Sequence, residues 1–403
     1  MSATPPGAAG GLAGYRPELA PQVLLSDAML QGAATVHLIK DTAGGGSFRV
    51  GAKEHFLIAR MDGSRSLAEI GEEYAREYGR RLDGARWQQI LRMLGTRGLL
   101  AGAPARPADG PVSASASTSA SVPVSAPTSV SAPVPPPVPA SAPAVPERGL
   151  LRGSIRLVAD ADATTDRLHR AVGFLLAPGW LVPLLALVLA METVLALRAG
   201  ELLDATKALF GNPVLLVGAA TLLWFSTALH ELAHGVVARH HGGTVAEIGL
   251  RWRLPVVIMY CTVGNYLYFG SRWQRIQTAS AGAVMNLLFL LPFCALWLFA
   301  PLDTATRDAL GALLLLGSVQ ALAMLVPFPP LDGYRIASQL CGATELAGST
   351  VAYLRLAARR DPAAGDYPRR ARIAYRAYAL GTVLVLVGIA AAVVAAARHF
   401  LTT

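Results

Sequence analysis

The rhythm of hydrophobic and polar positions changes along the chain and divides it into four stretches. Residues 1–30 are rich in Gly, Ala and Pro and read as a loose N-terminus. Residues 31–101 carry the pattern of a small soluble α/β domain. Ala34–Asp41 alternates as a short strand, glycines 44–46 supply a turn, and Ser47–Gly51 reads as a second strand, which predicts a hairpin. Three helical stretches follow. KEHFLIARM is short. SLAEIGEEYAREYG opens with Ser66 and Glu69 at capping-box spacing. DGARWQQILRMLGTRGLL places Trp87, Ile90, Leu91 and Leu94 at helical intervals, and Leu67, Ile70 and Tyr74 are predicted to face the same core. Residues 102–148 are rich in Ala, Pro, Ser and Val, with no charge from Gly110 to Pro146, so they are expected to form an extended, semi-stiff linker.

Beyond residue 149 the apolar runs lengthen. From Asp166 to Leu176, the apolar residues Leu168, Ala171, Val172, Leu175 and Leu176 form one helical face, which predicts an amphipathic helix at a membrane surface. Five runs, Trp180–Leu197, Asn212–His234, Thr278–Ala300, Ala309–Pro327 and Leu380–Ala397, are each long enough to cross about 30 Å of hydrocarbon. The expected fold is therefore mainly α: a polytopic membrane helix bundle of about five spans over 149–403, with an N-terminal soluble α/β domain.

Composition agrees, since 53% of residues are hydrophobic. The net charge of +9 resides largely in arginines and sets the orientation. The 334–376 loop holds eight arginines against three acidic residues, whereas the 198–212 and 301–308 loops hold Arg198, Lys207 and Arg307 against Glu201, Asp204, Asp303 and Asp308. The arginine-rich side is thus predicted to be cytoplasmic in a multi-pass cell-membrane protein. The N-terminal domain falls on that side, because the chain opens without a basic-then-apolar signal segment. No basic stripe with interleaved aromatics occurs, which argues against nucleic-acid binding. Cys261, Cys294 and Cys341 fit neither a zinc pattern nor a disulfide framework and are expected to be buried thiols.

One uncharged apolar run ends in His230-Glu231-Leu232-Ala233-His234. Positions i and i+4 share a helix face, so His230 and His234 can grip one metal ion. Glu231, about 100° round the helix, can reach a water on that metal. This is the HExxH pattern of zinc hydrolases. Ionisable residues within a spanning helix are costly and usually mark a site. A zinc centre with two histidines needs a third protein ligand. The fourth span ends in Val326-Pro327-Phe328-Pro329-Pro330-Leu331-Asp332-Gly333-Tyr334, where the prolines stop the helix and Asp332 offers a carboxylate on the same side as His234. His240 and His241 lie off the metal face and are expected at the interface.

The two motifs together resemble the site-2 protease family of intramembrane zinc metalloproteases, over about residues 150–400, and the Asp-Gly-Tyr ending is similar to its peptide zinc metalloprotease branch from peptide-maturation clusters. The resemblance implies His230, His234 and Asp332 as ligands of Zn2+ and Glu231 as the catalytic carboxylate. Ala281-Gly282-x-x-x-Asn286 is similar to the family's Gly-x-x-x-Asn, which implies that Asn286 lines the site and positions substrate or oxyanion. Val326 stands where related sequences often carry Asn. The apolar but broken segment 250–276 looks like the family's re-entrant hairpin, with an edge that could hold substrate extended. In the N-terminal domain, Asp62-Gly63, Ser66-Leu67-Ala68-Glu69-Ile70 and Leu94-x-x-x-Gly98-Leu99-Leu100 resemble the PqqD-like winged helix known as the RiPP recognition element. That resemblance implies a precursor peptide with its leader as partner, beside the lipid bilayer. The expected function is leader removal by hydrolysis at the cytoplasmic membrane face. Two alternatives stand beside it: a regulatory protease of a membrane signalling protein, and a catalytically silent membrane peptide-binding or immunity protein.

Overall fold

The computed structural model describes residues 13–44, 46–101, 152–253 and 256–402. The expected linker therefore lies outside the described residues. The chain forms two compact units, Met1–Leu25 with His37–Val145, and Ser26–Val36 with Pro146–Thr403.

The first unit contains β1 (Val23–Leu25), and, after β2 (Met29–Gln31) in the other unit, most of β3 (Ala34–Asp41) and all of β4 (Ser47–Gly51). β3 pairs with β4 and, antiparallel, with β1 in the register Val23 to Asp41 and Leu25 to Ile39. Helices α1 (Ala52–Ile58), α2 (Leu67–Tyr78) and α3 (Gly84–Thr96) follow. The capping box forms as the spacing predicts. Ser66 Oγ accepts from the Glu69 amide at 3.3 Å, and Glu69 Oε2 accepts from the Ser66 amide at 2.7 Å. Leu67, Ile70, Tyr74, Trp87, Ile90 and Leu94 close on Ile39 and Leu57 as one core.

The N-terminal segment is not loose where it is described. Residues 23–25 and 29–31 are strands, and 26–36 belongs to the second unit, which moves the boundary expected at residue 31. The reason is burial: Met29 and Leu30 are each 3% exposed, and Leu30 packs with Ala343, Leu346, Tyr353 and Tyr375. β2 pairs with residues 34–36 through a turn at Gly32, whose φ of +56° suits glycine. The segment is further tied by the Leu30 amide to Gly342 O (2.7 Å), the Thr344 amide to Leu30 O (2.9 Å) and Tyr375 Oη to Gly32 O (2.8 Å).

The second unit continues with β5 (Arg152–Arg156), α4 (Ala161–Val172), α5 (Pro178–Leu197), α6 (Ala199–Phe210) and α7 (Pro213–His240). After β6 (Thr244–Arg253) and β7 (Val256–Gly264) come α8 (Arg272–Phe299), α9 (Thr304–Met324), α10 (Asp332–Cys341), α11 (Leu346–Ala358) and α12 (Arg369–Thr402). Five helices, α5, α7, α8, α9 and α12, are long and apolar enough to cross a membrane. These are the five expected spans. The buried stripe Ala279, Ala281, Gly282 and Ala283 on α8 lets helix backbones approach closely.

Three local expectations change. The loop 198–212 is largely the helix α6, because Leu202, Ala205, Thr206 and Leu209 bury one face. The amphipathic helix starts at Ala161 instead of Asp166, capped by Asp160, and a 3-10 turn completes it through Leu176. The broken segment after α7 supplies the antiparallel strands β6 and β7, and β5 from before α4 pairs antiparallel with β6 to complete a sheet of order β5-β6-β7, with a bulge between Val245 and Glu247. The polar strand β5 carried no sequence signal, and β7 is left at an edge.

Candidate metal centre

α7 begins where Asn212 accepts the Leu215 amide at 3.3 Å and Pro213 takes the first helical position. The helix runs unbroken through the HExxH sequence, so His230 and His234 lie one turn apart, edge to face, with ring centroids 4.8 Å apart. They are only 4% and 5% exposed.

Asp332 arrives from the turn that follows α9. It is the first residue of α10 and is 7% exposed. Gly333 explains how it gets there. A Cβ at this glycine would run into the Leu325 carbonyl and stand 2.6 Å from Val326 O. Only glycine lets the start of α10 fold back so tightly on the end of α9.

Asp332 Oδ2 lies 3.0 Å from His230 Nε2 and 3.1 Å from His234 Nε2, and the two Nε2 atoms are 3.2 Å apart. Zinc bonds of 2.0–2.1 Å in a tetrahedron set ligand atoms about 3.3 Å from one another. The observed triangle therefore has nearly the size of one tetrahedral face, and the donor set of two imidazoles and a carboxylate suits zinc. Among the described residues, His230, His234 and Asp332 are the one group with metal-ligand geometry.

The far side of each ligand is held. His234 Nδ1 donates to the Thr278 carbonyl at 2.7 Å. This fixes the tautomer that leaves Nε2 free as a ligand. His230 Nδ1 lies 3.2 Å from Asn286 Nδ2, while Asn286 Oδ1 accepts from Ser226 Oγ at 3.0 Å. For His230 Nε2 to bind metal, its Nδ1 must carry the proton. A half-turn of the Asn286 amide then lets Oδ1 accept from Nδ1 while Nδ2 donates to Ser226. Burial alone would raise the Asp332 carboxyl, but the two imidazoles facing it, when they carry a proton on Nε2, outweigh it and hold the group well below the usual carboxylate range. Its second oxygen accepts from Arg335 at 3.4 Å.

Glu231 points elsewhere. Its Oε2 accepts the backbone N–H of Cys261, on β7, at 3.0 Å. The motif is thereby tied to the edge strand of the sheet.

The structure thus brings together His230, His234 and Asp332, and sets Asn286 behind His230. Asn286 is 3% exposed and is taken up by His230 and Ser226. Its contacts are those of a partner that would orient a metal-binding imidazole. His240 and His241 stay out of the centre. His240 Nδ1 meets His169 Nε2 at 3.2 Å, and burial together with the neighbouring His240 pushes the His241 imidazole down. Sequence reasoning did not find Thr278, Ser226 or the Cys261 amide. Thr278 had a signal, since Thr278, Gly282 and Asn286 fall at i, i+4 and i+8 on one face of α8. No known family model, curated protein or solved structure matches the chain.

Proposed function

We propose that the second unit is an intramembrane zinc metalloprotease. The observation that carries the reading is the buried triangle of His230, His234 and Asp332 with Glu231 beside it on the same helix. Zinc, when bound, would supply Lewis acidity to the attacking water and the scissile carbonyl. Glu231 accepts the proton of the water and returns it to the leaving amine. Thr278 and Asn286 hold the two imidazoles in register. The Glu231 hydrogen bond to β7 brings the general base next to an edge strand, which suits a substrate bound extended by strand addition. An extended chain presents its peptide bonds in the form a hydrolase needs.

The arginine-rich loop before α12 supports a cytoplasmic position for the ends of α7 and α9, and with them the metal centre. The first unit, read as a winged helix similar to the RiPP recognition element, would hold the leader of a precursor peptide. Tethering the leader to the protease raises the local substrate concentration into about the mM range when the linker spans the distance. Leader removal is then the reaction.

The test uses the full chain and Glu231→Gln, both purified in detergent, assayed for zinc and incubated with precursor peptides encoded beside its gene. About one zinc in each protein, with cleavage by the wild type alone, is the expected outcome. Absence of zinc from the wild type would sink the metalloenzyme reading. Zinc without cleavage of any leader-bearing peptide would move the substrate to a membrane signalling protein.

A further inference from the structure

Arg272 opens α8, and Arg369 and Arg370 open α12. These helices are two of the five candidate spans. All three line one open surface cavity of about 670 Å³, together with the apolar residues Leu340, Ile373 and Ala377. Because both helices start at this cavity, it sits at one membrane boundary. That boundary is the arginine-rich one.

Two observations bear on what this cavity holds. The first is charge. Among the described residues Arg272, Arg369 and Arg370 have no carboxylate within 4.0 Å; the same holds for Arg355, Arg359, Arg360, Arg372 and Arg376, but of these arginines only the first three line the cavity. Arginines that serve only to orient a membrane protein need not share a cavity. Three unneutralised guanidinium groups around one hollow repel each other unless an anion sits between them. Guanidinium is the side chain that matches phosphate geometry in two-pronged fashion. The second observation is the floor. Ile373 is 58% exposed and Leu340 is 54% exposed. From Ile373 the apolar surface continues along α12 through Leu380, Val383 and Leu384, all more than half exposed. Trp273, 55% exposed and with its ring 5.3 Å from the Arg272 guanidinium, marks the level of the headgroups. A free phosphate would use the arginines and leave the apolar floor bare. A lipid satisfies both.

We infer that this cavity is a binding site for one anionic phospholipid, its phosphate held by Arg272, Arg369 and Arg370 and its acyl chain laid over Ile373 along α12. The site is independent of the metal centre. A bound lipid would also fasten the start of α12 to the start of α8.

The experiment is lipid retention by the full-length protein in detergent, read by native mass spectrometry. Phosphatidylglycerol and phosphatidylcholine of identical chains are added in equal amounts, with glycerol phosphate as the headgroup-only probe. The wild type should retain one phosphatidylglycerol in preference to phosphatidylcholine. Near an anionic headgroup each arginine strengthens binding about fivefold, so Arg369→Gln with Arg370→Gln should weaken retention about twenty-five-fold. Arg369→Lys with Arg370→Lys keeps the charge and should retain most of it. Should the double Gln variant fail to fold, Ile373→Gln tests the floor alone and should lower phosphatidylglycerol retention while leaving zinc content unchanged. Equal retention of both lipids overturns the inference, as does retention unchanged in the variants. Binding of glycerol phosphate as tight as that of the lipid would make it a phosphate site and overturn the lipid reading.

Discussion

Gly282 on α8 lies directly against the imidazole of His230 on α7: a Cβ built at this glycine would meet three ring atoms within 2.6 Å. No side-chain end is free to yield there, because the ring is 4% exposed and carries Asn286 behind it. The glycine is a hole shaped for the ligand. Gly282→Ala should therefore displace His230 while the apolar bundle persists. Loss of an orienting contact behind a metal ligand costs about ten- to a hundredfold in affinity. We expect a zinc Kd weaker by at least that factor, measured by chelator competition, with little change in helix content by circular dichroism. An unchanged Kd would mean that the ring relaxes freely and that α8 does not set its position.

Asn286 tests the same wall from its polar side. Asn286→Leu keeps volume but leaves His230 Nδ1 and Ser226 Oγ without their shared partner. Zinc affinity should fall about ten- to a hundredfold. If Asn286 instead contacted only substrate, zinc affinity would be unmoved and KM alone would rise.

The parts of this site that the sequence displayed are the parts written locally. His230 and His234 are one helical turn apart, and any helix through them makes a pair of ligands. Asp332 was legible because the prolines before it stop a span at the right depth. What stayed hidden has no local mark. The Thr278 carbonyl and the Cys261 amide are backbone groups, which every residue owns. Met29 and Leu30 form a strand whose turn, at Gly32, bonds to Ser349, 317 positions away, so a Gly- and Ala-rich stretch read as loose. The helix α6 was legible in principle, since Leu202, Ala205, Thr206 and Leu209 share a face, but its charges directed attention to topology.

Arg275 is 3% exposed and donates to Gln339 Oε1 at 2.7 Å, to the Leu267 and Phe269 carbonyls, and to Asp27 at 2.7 Å. It fastens α8 to α10, the helix that starts with Asp332. The Asp27 side chain is 59% exposed, so its ion pair is screened and worth about 0–1 kcal/mol. The buried contacts decide the outcome. Arg275→Met strands Gln339 and two carbonyls and should cost about 1–3 kcal/mol for each buried acceptor left unpaired, whereas Asp27→Asn should stay within about 1 kcal/mol. Thermal midpoints of the two variants check the ratio, and equal shifts would place the weight on the ion pair.

Cys261 offers a pH test away from the metal ligands. Burial pushes its thiol up to about 12, and the neighbouring Glu231 carboxylate adds to the effect. The folded protein thus keeps a proton that the unfolded chain releases near the ordinary thiol value of 9.0. Stability linked to this group is intact below that value and is lost as pH rises from it toward about 12. Thermal midpoints at pH 8 and above pH 10 should drop less in Cys261→Ala than in the wild type. Iodoacetamide should leave Cys261 unmodified at pH 8 in the native protein, because the thiolate is the reactive form. Rapid native alkylation would show that β7 opens.

Proton competition for the metal supplies the last prediction. Three protein groups would hold the ion, a carboxylate and two imidazoles. The Asp332 carboxyl is held well below the usual carboxylate range by its two imidazole partners, so it stays ionised through mildly acidic pH. A proton competes with the metal at the ligand nitrogen of an imidazole, and the site has two of these. Because ligands must be deprotonated to bind, zinc affinity should fall with acidification by at most about two orders of magnitude per pH unit, one for each imidazole. A third proton should enter only at much lower pH. Zinc Kd measured by competition from pH 7 downward gives the slope directly. A slope approaching three in mildly acidic solution would mean that Asp332 is protonated with the histidines, and that the hydrogen bonds from His230 and His234 do not hold its charge.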